Sequence, residues 1–515
     1  MKSINKIKII LFLLTFCYTE GSIAQLQGIK KIQASYISGT FHNLPVSDTI
    51  SLTIWENIIS IEKRNLIPAR RFTAIVKNGK FKFQIDSVKS NSYISLGIGN
   101  FVAGKPYPFL DLYVLEPGDN INISISTNER IEDRDKIKGE VNGQKACLNC
   151  NNYNFTGKGA LKYQYRTVLY KAKDSLQNNW YDTDSIAIKE PTSFKAKYQR
   201  SYSQMTFVKD RVLQILQQAR GNISEVMYQL LEADAVAQCN FLFLADLANS
   251  YQPTQVSEND REIFKNFYTD SVLNRIRDDI PNDIQAISAF YPPTLIYKER
   301  LENKLYNQKS NYNRIKKNYS GALRDRILTN YLIDNLNRTG VDSLISDALS
   351  IMKESRDKEI LISAQANSKV GTHLNFSLRD VNGNLVNLSD YKGKVVFIDF
   401  WFFGCGGCTT FYLGKLSKIE EFYKDNQNIV FLSISIDTDR NKWLKAIKSN
   451  SYTSEKAVNL TTGSLGELHP LIRKLNIMSY PALIVVDRNG NIASNDSDKL
   501  RASTSEMIKF FISKN

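Results

Sequence analysis

The feature that most constrains this chain is an apolar segment, residues 395–400 (VVFIDF), followed closely by Cys405-Gly-Gly-Cys408. A near-continuous apolar run is typical of a strand that is buried on both faces of a sheet. A helix is predicted after it, because Tyr412, Leu416 and Ile419 recur at the spacing of one helix face. The cysteine pair is therefore predicted to lie at a strand-to-helix turn, where a C-x-x-C motif indicates redox chemistry.

The two cysteines have different predicted roles. Cys405 lies at the helix N-terminus, where unpaired N–H groups and the positive end of the helix dipole favour the thiolate. Cys408 follows one turn later, so the two sulfur atoms can form a disulfide. Gly406 and Gly407 add little bulk, which leaves room for a disulfide of another protein. We predict that Cys405 attacks the substrate and that Cys408 resolves the mixed disulfide.

Zinc binding is the main chemical alternative for this motif. A structural zinc site needs two further ligands at suitable spacing. The region has no second cysteine pair, and His469 is the only histidine after the motif. A His-Pro pair in a predicted loop is more often a surface feature than a ligand. We therefore expect no metal and no other cofactor.

The sequence around the motif alternates predicted strands and helices. Residues 429–436 and 482–486 indicate two more buried strands, with a helix around Trp443 between them. The turn at 487–490 leads to a fourth strand, and a helix at 507–512 follows. Such alternation predicts a mostly parallel sheet that is covered on both faces.

The upstream residues have a different character. Residues 72–76 and 81–85 alternate and flank Asn78-Gly79, a strong hairpin signal because both residues tolerate positive φ. Further on, Val208, Val212 and Leu216 follow one helix face. Other strands are predicted at 50–59, 93–98, 110–115 and 121–125.

These patterns predict a multidomain chain. The β-rich part is expected to be an all-β sandwich or barrel without catalytic residues. The stretch 298–326 is rich in Lys, Arg, Tyr and Asn, and its interleaved acidic residues predict a solvated helix surface rather than a nucleic-acid face. The predicted division is a signal peptide at 1–24, a β-rich domain at 25–150, a helical region at 151–362 and an α/β domain at 363–515.

The first 24 residues have the order of a secretory signal peptide. Three lysines precede a short apolar run at 9–18, and small residues precede Ala24. Cleavage after Ala24 predicts a periplasmic or cell-envelope protein, soluble once the signal is removed. A lipoprotein signal at Cys17 is one alternative, although Phe16 stands where that signal needs a small residue. An uncleaved membrane anchor is the other.

The remaining cysteines and the overall charge complete the prediction. Cys147 and Cys150 form a second C-x-x-C in a polar segment, predicted to be a local disulfide, with an electron relay to Cys405 as the alternative. Cys239 is predicted to be a buried thiol. The net charge is +15, but 67 basic and 52 acidic residues are interleaved along the chain. We therefore expect no nucleic-acid partner.

Residues 396–408 (VFIDFWFFGCGGC) resemble the active-site strand and loop of the thioredoxin superfamily. Asp399 matches the buried acid beneath the cysteines, and Trp401 matches the active-site tryptophan. Tyr480 and Pro481 match the position of the cis-proline that faces the cysteine pair. Burial in the apolar strand is predicted to raise the pKa of Asp399, so that it relays a proton for Cys408, and a solvated acid at the strand end is the alternative. The resemblance implies that a substrate chain pairs with the backbone edge at Pro481.

Residues 375–383 and 388–394 look like the TlpA/ResA branch, whose members are exported thiol-disulfide oxidoreductases. Residues 112–121 and 155–160 resemble the β domain and following segment that precede such domains in long members. The chain departs from the branch in two places. Gly404 and Gly407 replace a Trp and a Pro around the first cysteine, and Phe411 and Leu413 replace a Glu and a Pro after the second.

The predicted function is an exported thiol-disulfide oxidoreductase that acts on envelope proteins, as a reductase. Its expected partners are thiol or disulfide proteins and an upstream electron donor. A thiol peroxidase is the enzymatic alternative, but that class places a Pro and a Thr where Phe402, Phe403 and Gly404 stand. A binding protein with a vestigial thioredoxin domain is the other alternative, against which Cys405, Cys408 and Pro481 argue.

Overall fold

The computed structural model describes residues 33–42, 49–56, 58–61, 63, 69–89, 92–98, 107–127, 151–185, 193–276, 279–308 and 310–513. The predicted signal peptide, the alternative at Cys17 and the Cys147/Cys150 pair lie outside these ranges. Within these ranges, no helix is both long enough and apolar enough to cross a membrane.

The N-terminal part consists of strands in two four-stranded sheets. The strands are β1 (Ser35–Phe41), β2 (Thr49–Trp55), β3 (Arg70–Ile75), β4 (Lys80–Ile85), β5 (Ser92–Ile98), β6 (Tyr107–Leu115), β7 (Asn120–Thr127) and β8 (Asn151–Lys158). One sheet has the order β4-β1-β7-β8 and the other the order β3-β2-β5-β6. Ile37 and Phe83 from the first sheet and Leu52 and Leu96 from the second lie in one apolar core.

The Asn78-Gly79 signal marks a turn, but the predicted hairpin is wrong. Both residues have positive φ, 52° and 71°, and Lys77 and Lys80 exchange two backbone hydrogen bonds of 2.9 Å. Beyond this pair the strands separate, because β3 pairs with β2 and β4 pairs with β1, over six residues each. A turn signal specifies a local reversal of the chain, whereas the longer pairings decide which sheet each strand joins.

Strand β8 begins at Asn151, directly after the predicted end of the β-rich domain at residue 150. It pairs with β7 along eight residues. Phe155 is buried, but most of the other described side chains of this polar strand are exposed. The strand is hard to find from sequence because the backbone pairing, and not an apolar pattern, defines it.

The middle of the chain is helical, and the buried stripe Val208, Val212 and Leu216 is confirmed. Cys239 is also buried, as predicted. The helices are α1 (Ala160–Ser185), α2 (Phe194–Leu216), α3 (Glu225–Ser250), α4 (Glu258–Phe267), α5 (Leu273–Ile276), α6 (Asn282–Ile287), α7 (Tyr291–Leu305), α8 (Asn311–Asn318), α9 (Gly321–Asp334), α10 (Val341–Ile351) and α11 (Ser355–Ser368).

The stretch 298–326 is not the solvated surface that its composition predicts. Glu299 is fully buried and accepts a hydrogen bond of 2.7 Å from Arg314 and one of 2.9 Å from the Tyr319 hydroxyl. Arg326 is also buried and pairs with Asp357 at 2.9 Å. Because these arginines neutralise buried acids, this part of the stretch stabilises the helical core.

The C-terminal part contains a seven-stranded sheet with helices on both faces. Its elements are β9 (Ser377–Asp380), β10 (Leu385–Asn387), β11 (Val395–Trp401), α12 (Gly406–Phe411), α13 (Ser417–Phe422), β12 (Ile429–Ser435), α14 (Arg440–Lys448), β13 (Val458–Thr461), α15 (Pro470–Lys474), β14 (Ala482–Val486), β15 (Ile492–Ser494), α16 (Ser497–Ala502) and α17 (Thr504–Ser513). The order is β10-β9-β13-β12-β11-β14-β15.

The prediction of a mostly parallel sheet is wrong. Only β11 with β12 and β12 with β13 are parallel, and β14 runs antiparallel to β11. A parallel return needs a crossover element that runs back along the sheet. The connection from β13 to β14 contains only a 3₁₀ turn at Gly463–Leu468 and the five-residue helix α15, so the chain enters β14 from the opposite end.

The helical region contacts the C-terminal sheet through the chain around the end of α9. The Asn476 side chain donates a hydrogen bond of 2.8 Å to the carbonyl of Ile333. Thr339 donates two hydrogen bonds of 3.0 Å, from its amide and its hydroxyl, to Asp496. These contacts hold one flank of the sheet, near the beginning of β14 and the end of β15.

Candidate active site

The cysteine pair lies where β11 ends and α12 begins. All seven residues of β11 are buried, and a loop connects the strand to Cys405, the N-cap residue of α12. Cys405 and Cys408 form a disulfide, with a Cα–Cα distance of 5.3 Å. The amide of Cys408 also donates a hydrogen bond of 3.1 Å to the Cys405 sulfur. Cys405 is 6% exposed and Cys408 1%, so Cys405 is the more exposed cysteine.

The loop before Cys405 is held by hydrogen bonds to its backbone. The amide of Phe403 donates to Asp437 at 2.9 Å, and the amide of Gly404 donates to the Tyr452 hydroxyl at 2.9 Å. Gly404 has a φ of +93°, a conformation that L side chains rarely adopt. The glycine that replaces the usual Trp at this position therefore fits a specific backbone geometry.

Trp401 supports this loop from inside the protein. It is fully buried and donates a hydrogen bond of 2.7 Å from Nε1 to the Ser433 hydroxyl. Its ring stacks on that of Tyr452 at 5.1 Å between centroids. Since Tyr452 in turn binds the amide of Gly404, Trp401 positions the loop and presents no surface to a partner.

Pro481 faces the cysteine motif across the top of the sheet. The Tyr480–Pro481 peptide bond is cis, and a Cβ on Gly407 would lie 3.6 Å from both the Pro481 Cδ and the Tyr480 carbonyl oxygen. The Tyr480 ring meets that of Phe402 edge to face at 5.6 Å. A Cβ on Gly404 or Gly406 would meet no atom within 4 Å. The approach to the disulfide is therefore bounded by Pro481 on one side and open over the glycines.

Asp399 is buried in β11 and is not the solvated strand-end acid that was its alternative interpretation. It is 2% exposed, and its Oδ1 has no hydrogen-bond partner among the described residues. Burial raises the pKa of Asp399 well above its usual range, and the negative charge of Glu420 adds to this effect. Its side chain shares a strand face with those of Val395 and Phe397, which pack against the helices that follow Cys408.

Glu420 is a second buried acid at this site, and the sequence reasoning missed it. It is 3% exposed and accepts hydrogen bonds from the Ser454 hydroxyl at 2.8 Å and the Tyr412 hydroxyl at 3.2 Å. Burial raises its pKa, while both hydroxyl groups oppose that rise. A signal was present, because Glu420 follows Tyr412 and Leu416 at intervals of four residues and so lies on the apolar helix face.

The other candidate ligands and thiols lie apart from this chemistry. In the part of the chain that the structure describes, no three His, Cys, Asp or Glu residues form a group that could hold a metal ion. His469 caps α15 and accepts a hydrogen bond of 3.2 Å from the amide of Leu471. Burial raises the pKa of the Cys239 thiol to about 11, which makes this thiol unreactive at neutral pH.

Comparison with known proteins identifies the C-terminal part. Residues 393–492 match the thioredoxin-like family Thioredoxin_8. The thioredoxin-like protein YneN of Bacillus subtilis (strain 168) is 27% identical over 117 residues, which are 23% of this chain and 64% of that protein. The chain therefore spans less than two thirds of this curated relative. The C-terminal part of the chain is a thioredoxin-like domain.

Solved structures of similar proteins match about a quarter of this chain. The thioredoxin domain of a thiol-disulfide oxidoreductase from Bacteroides vulgatus is 28% identical, with a TM-score of 0.23, over 27% of this chain and 97% of that one. A thiol-disulfide oxidoreductase from Bacteroides fragilis is 22% identical, with a TM-score of 0.24, over 28% of this chain and 99% of that one.

Proposed function

We propose that this protein is a thiol-disulfide oxidoreductase that reduces disulfides of other proteins through Cys405 and Cys408. The observation that carries the proposal is the Cys405–Cys408 disulfide at the start of α12, with Pro481 on one side and bare glycine backbone on the other. This arrangement, together with the match to the thioredoxin-like family, supports disulfide exchange over a structural role for the pair.

The proposed reaction starts from the reduced pair. The Cys405 thiolate attacks a disulfide of the partner, forms a mixed disulfide and releases one partner thiolate, which takes up a proton. The Cys408 thiol then passes its proton to the Asp399 carboxylate and attacks the Cys405 sulfur. The second partner thiolate leaves as the Cys405–Cys408 disulfide forms. The partner gains two electrons and the protein loses two, so a thiol donor has to reduce the pair again.

The helix N-terminus supports the assignment of Cys405 as the attacking thiolate. Its sulfur accepts a hydrogen bond of 3.1 Å from the amide of Cys408, and a donor of this kind stabilises a thiolate. Cys405 is also the more exposed of the two cysteines. Cys408 is covered by the residues around it, which suits a thiol that reacts only within the mixed disulfide.

We also propose that the protein works in the cell envelope, as TlpA/ResA-like proteins do. The support is the order of charged, apolar and small residues at 1–24. In this proposal the β-rich and helical parts are separate domains upstream of the redox domain. Sequencing of the N-terminus of the secreted protein is expected to begin at Gln25. An intact N-terminus or a lipid on Cys17 would contradict cleavage after Ala24.

The function is tested on the purified chain of residues 25–515, by the turbidity that insulin develops when dithiothreitol reduces it. The protein is expected to accelerate this reaction, and Cys405→Ser is expected to abolish the acceleration. Cys239→Ala changes the buried thiol of the helical region, which lies in a different apolar cluster from the motif, and serves as the matched control. Acceleration that persists without Cys405 would refute the mechanism.

A second experiment identifies the partners. Cys408→Ser removes the resolving thiol, so mixed disulfides on Cys405 are expected to accumulate when this variant is expressed in the envelope. Non-reducing gels and mass spectrometry then name the trapped proteins, and the Cys405→Ser/Cys408→Ser double variant is the control. Rapid consumption of peroxide that depends on Cys405 would instead favour a thiol peroxidase.

A further inference from the structure

We propose that the outer side of α14 and the ring of Phe403 form a docking surface for partner segments that carry acidic residues beside their disulfide. The proposal rests on the function proposed above and deepens it, because it names the chemistry of the polypeptide that Cys405 attacks. We call this surface the basic face, and it consists of Phe403, Lys442, Lys445 and Lys448. It borders the redox motif but contains none of the reacting groups.

Helix α14 combines a buried apolar side with a charged outer side. Trp443 and Ala446 are buried and belong to the same apolar cluster as Cys405 and Cys408. The helix has the sequence RNKWLKAIK, which includes one arginine and three lysines and no acidic residue. All three lysines are exposed, so their charges lie on the side of the helix that faces solvent.

Three contacts with Phe403 place α14 beside the loop that leads into Cys405. Just before the helix, the carboxylate of Asp437 accepts a hydrogen bond of 2.9 Å from the amide of Phe403. Within the helix, the Nζ of Lys445 lies 6.0 Å from the centre of the Phe403 ring. Beyond the helix, the ring of Tyr452 lies 6.1 Å from that of Phe403. Since two residues span at most about 7 Å, a chain that reaches Cys405 also comes within reach of the basic face.

The basic face has an excess of positive charge. None of its three lysines forms a salt bridge with a residue that the structure describes. The two acids of this segment, Asp437 and Asp439, accept hydrogen bonds from backbone amides. Four basic and two acidic residues give residues 437–448 a net charge of +2. Lys445 lies over an aromatic ring, a contact that does not neutralise its charge, so the charge is available to a partner.

The apolar and charged groups together define the partner. Phe403 is 38% exposed and offers an apolar contact close to Cys405, whereas the lysines beside it attract carboxylates. Complementary charge of this kind raises the rate of encounter by about tenfold or more at low ionic strength. It also discriminates among partners, because a segment rich in lysine is repelled. An acidic segment beside the disulfide of a partner is therefore the occupant that fits the basic face.

The test measures how fast the reduced chain of residues 25–515 reduces two synthetic peptides that contain the same disulfide. Glu residues flank the disulfide in one peptide and Lys residues in the other. Each rate constant is divided by the rate constant with dithiothreitol, and the readout is the ratio of the Glu peptide to the Lys peptide. A ratio of about ten or more is expected at about 10 mM salt. The ratio should fall at about 150 mM salt, because the Debye length shrinks from about 30 Å to about 8 Å. A ratio of one or less at low salt overturns the proposal.

Variants locate the effect on the surface. Lys442→Gln/Lys445→Gln is expected to lower the ratio by about threefold or more at low salt. The matched control, Lys392→Gln/Lys394→Gln, removes two charges before the first residue of β11, whereas the motif follows its last residue, about 20 Å away. This control should leave the ratio unchanged. An equal ratio in the native protein and in Lys442→Gln/Lys445→Gln overturns the proposal, and so does an equal fall in both double variants, which would show an effect of net charge alone.

A binding measurement separates this proposal from the proposed function. Cys405→Ser/Cys408→Ser cannot exchange disulfides, and its affinity for the labelled peptides is measured by fluorescence anisotropy at low salt. Tighter binding of the Glu peptide, weakened by Lys442→Gln/Lys445→Gln, supports the basic face even where the native protein reduces neither peptide, a result that refutes the proposed function alone. Equal binding of both peptides overturns the proposal. Binding of anionic lipid vesicles without a preference between the peptides would assign the face to a membrane surface and would also overturn it.

Discussion

Replacement of Asp399 by Asn is expected to stabilise the thioredoxin-like domain at neutral pH and to flatten the pH dependence of its stability. Asp399 is 2% exposed, and its Oδ1 has no hydrogen-bond partner in the described part of the chain. Burial first, and the charge of Glu420 second, raise the pKa of this carboxyl well above its usual range. The folded domain therefore binds this proton more tightly than the unfolded chain.

The sign and the size of the effect follow from the linkage between proton binding and folding. Below an unfolded-state pKa of about 3.9, the carboxyl is protonated in both states and costs nothing. As the pH rises from there toward the folded-state pKa, the unfolded chain releases the proton first, and the free energy of unfolding falls by about 1.4 kcal/mol per pH unit. Above the folded-state pKa the loss is constant. In Asp399→Asn, a weaker pH dependence of the free energy of unfolding remains, with the same sign. It remains because burial also raises the pKa of Glu420.

Hydrogen exchange of the β11 and β12 amides, followed by mass spectrometry, measures the opening free energy of this domain within the full chain. The series runs from about pH 5 to about pH 8, which lies above the unfolded-state pKa. Asp425→Asn, at an exposed position of the same domain, is the control. If the opening free energies of the native protein and of Asp399→Asn run parallel over this series, the argument from burial is wrong.

Three further substitutions test how the site and the helical region are held. Tyr452→Phe removes the 2.9 Å hydrogen bond to the amide of Gly404; it should cost about 1 kcal/mol in chemical unfolding and speed the alkylation of reduced Cys405. Gly404→Ala should cost about 1–2 kcal/mol because φ is positive there, and the same loss in Gly406→Ala, where φ is not positive, would rule out this cause. Arg314→Ala leaves buried Glu299 without its 2.7 Å cation partner. The substitution should cost about 3–5 kcal/mol in thermal or urea unfolding. A loss below about 1 kcal/mol, which is the range of surface pairs, would show that the pair is effectively solvated.

The local part of the candidate site could be predicted because its residues are close in sequence. Residues 395–412 contain a buried strand, a short loop and the beginning of a helix. In the sequence these are visible as one apolar run, one cysteine motif and one helical stripe. Glu420 was missed although it continues the four-residue spacing of Tyr412 and Leu416, because that spacing does not reveal which groups bind a buried acid. Its burial depends on the hydroxyl of Ser454, which reaches it from a loop 34 residues further along the chain.

The errors in the fold have the same physical origin. The Asn78-Gly79 turn and the strands around it were found, but their partners were decided by pairing with β1 and β2. The direction of β14 depends on the connection from β13, which contains a 3₁₀ turn and a five-residue helix instead of one long crossover helix. An alternation of predicted strands and helices does not reveal how long such a helix is. The basic stretch 298–326 was misjudged because composition does not reveal which acids, such as Glu299, are buried opposite its arginines.

The glycines beside the disulfide bear on how this protein would choose among partners. Around Cys405, a Cβ at Gly404 or Gly406 would meet only open space, so an incoming chain meets main-chain atoms there. Main-chain atoms are the same in every protein and offer little that distinguishes one sequence from another. In the proposed exchange reaction, discrimination is then left to surfaces further from Cys405 and Cys408, and a change of selectivity is more readily made there than in the motif itself.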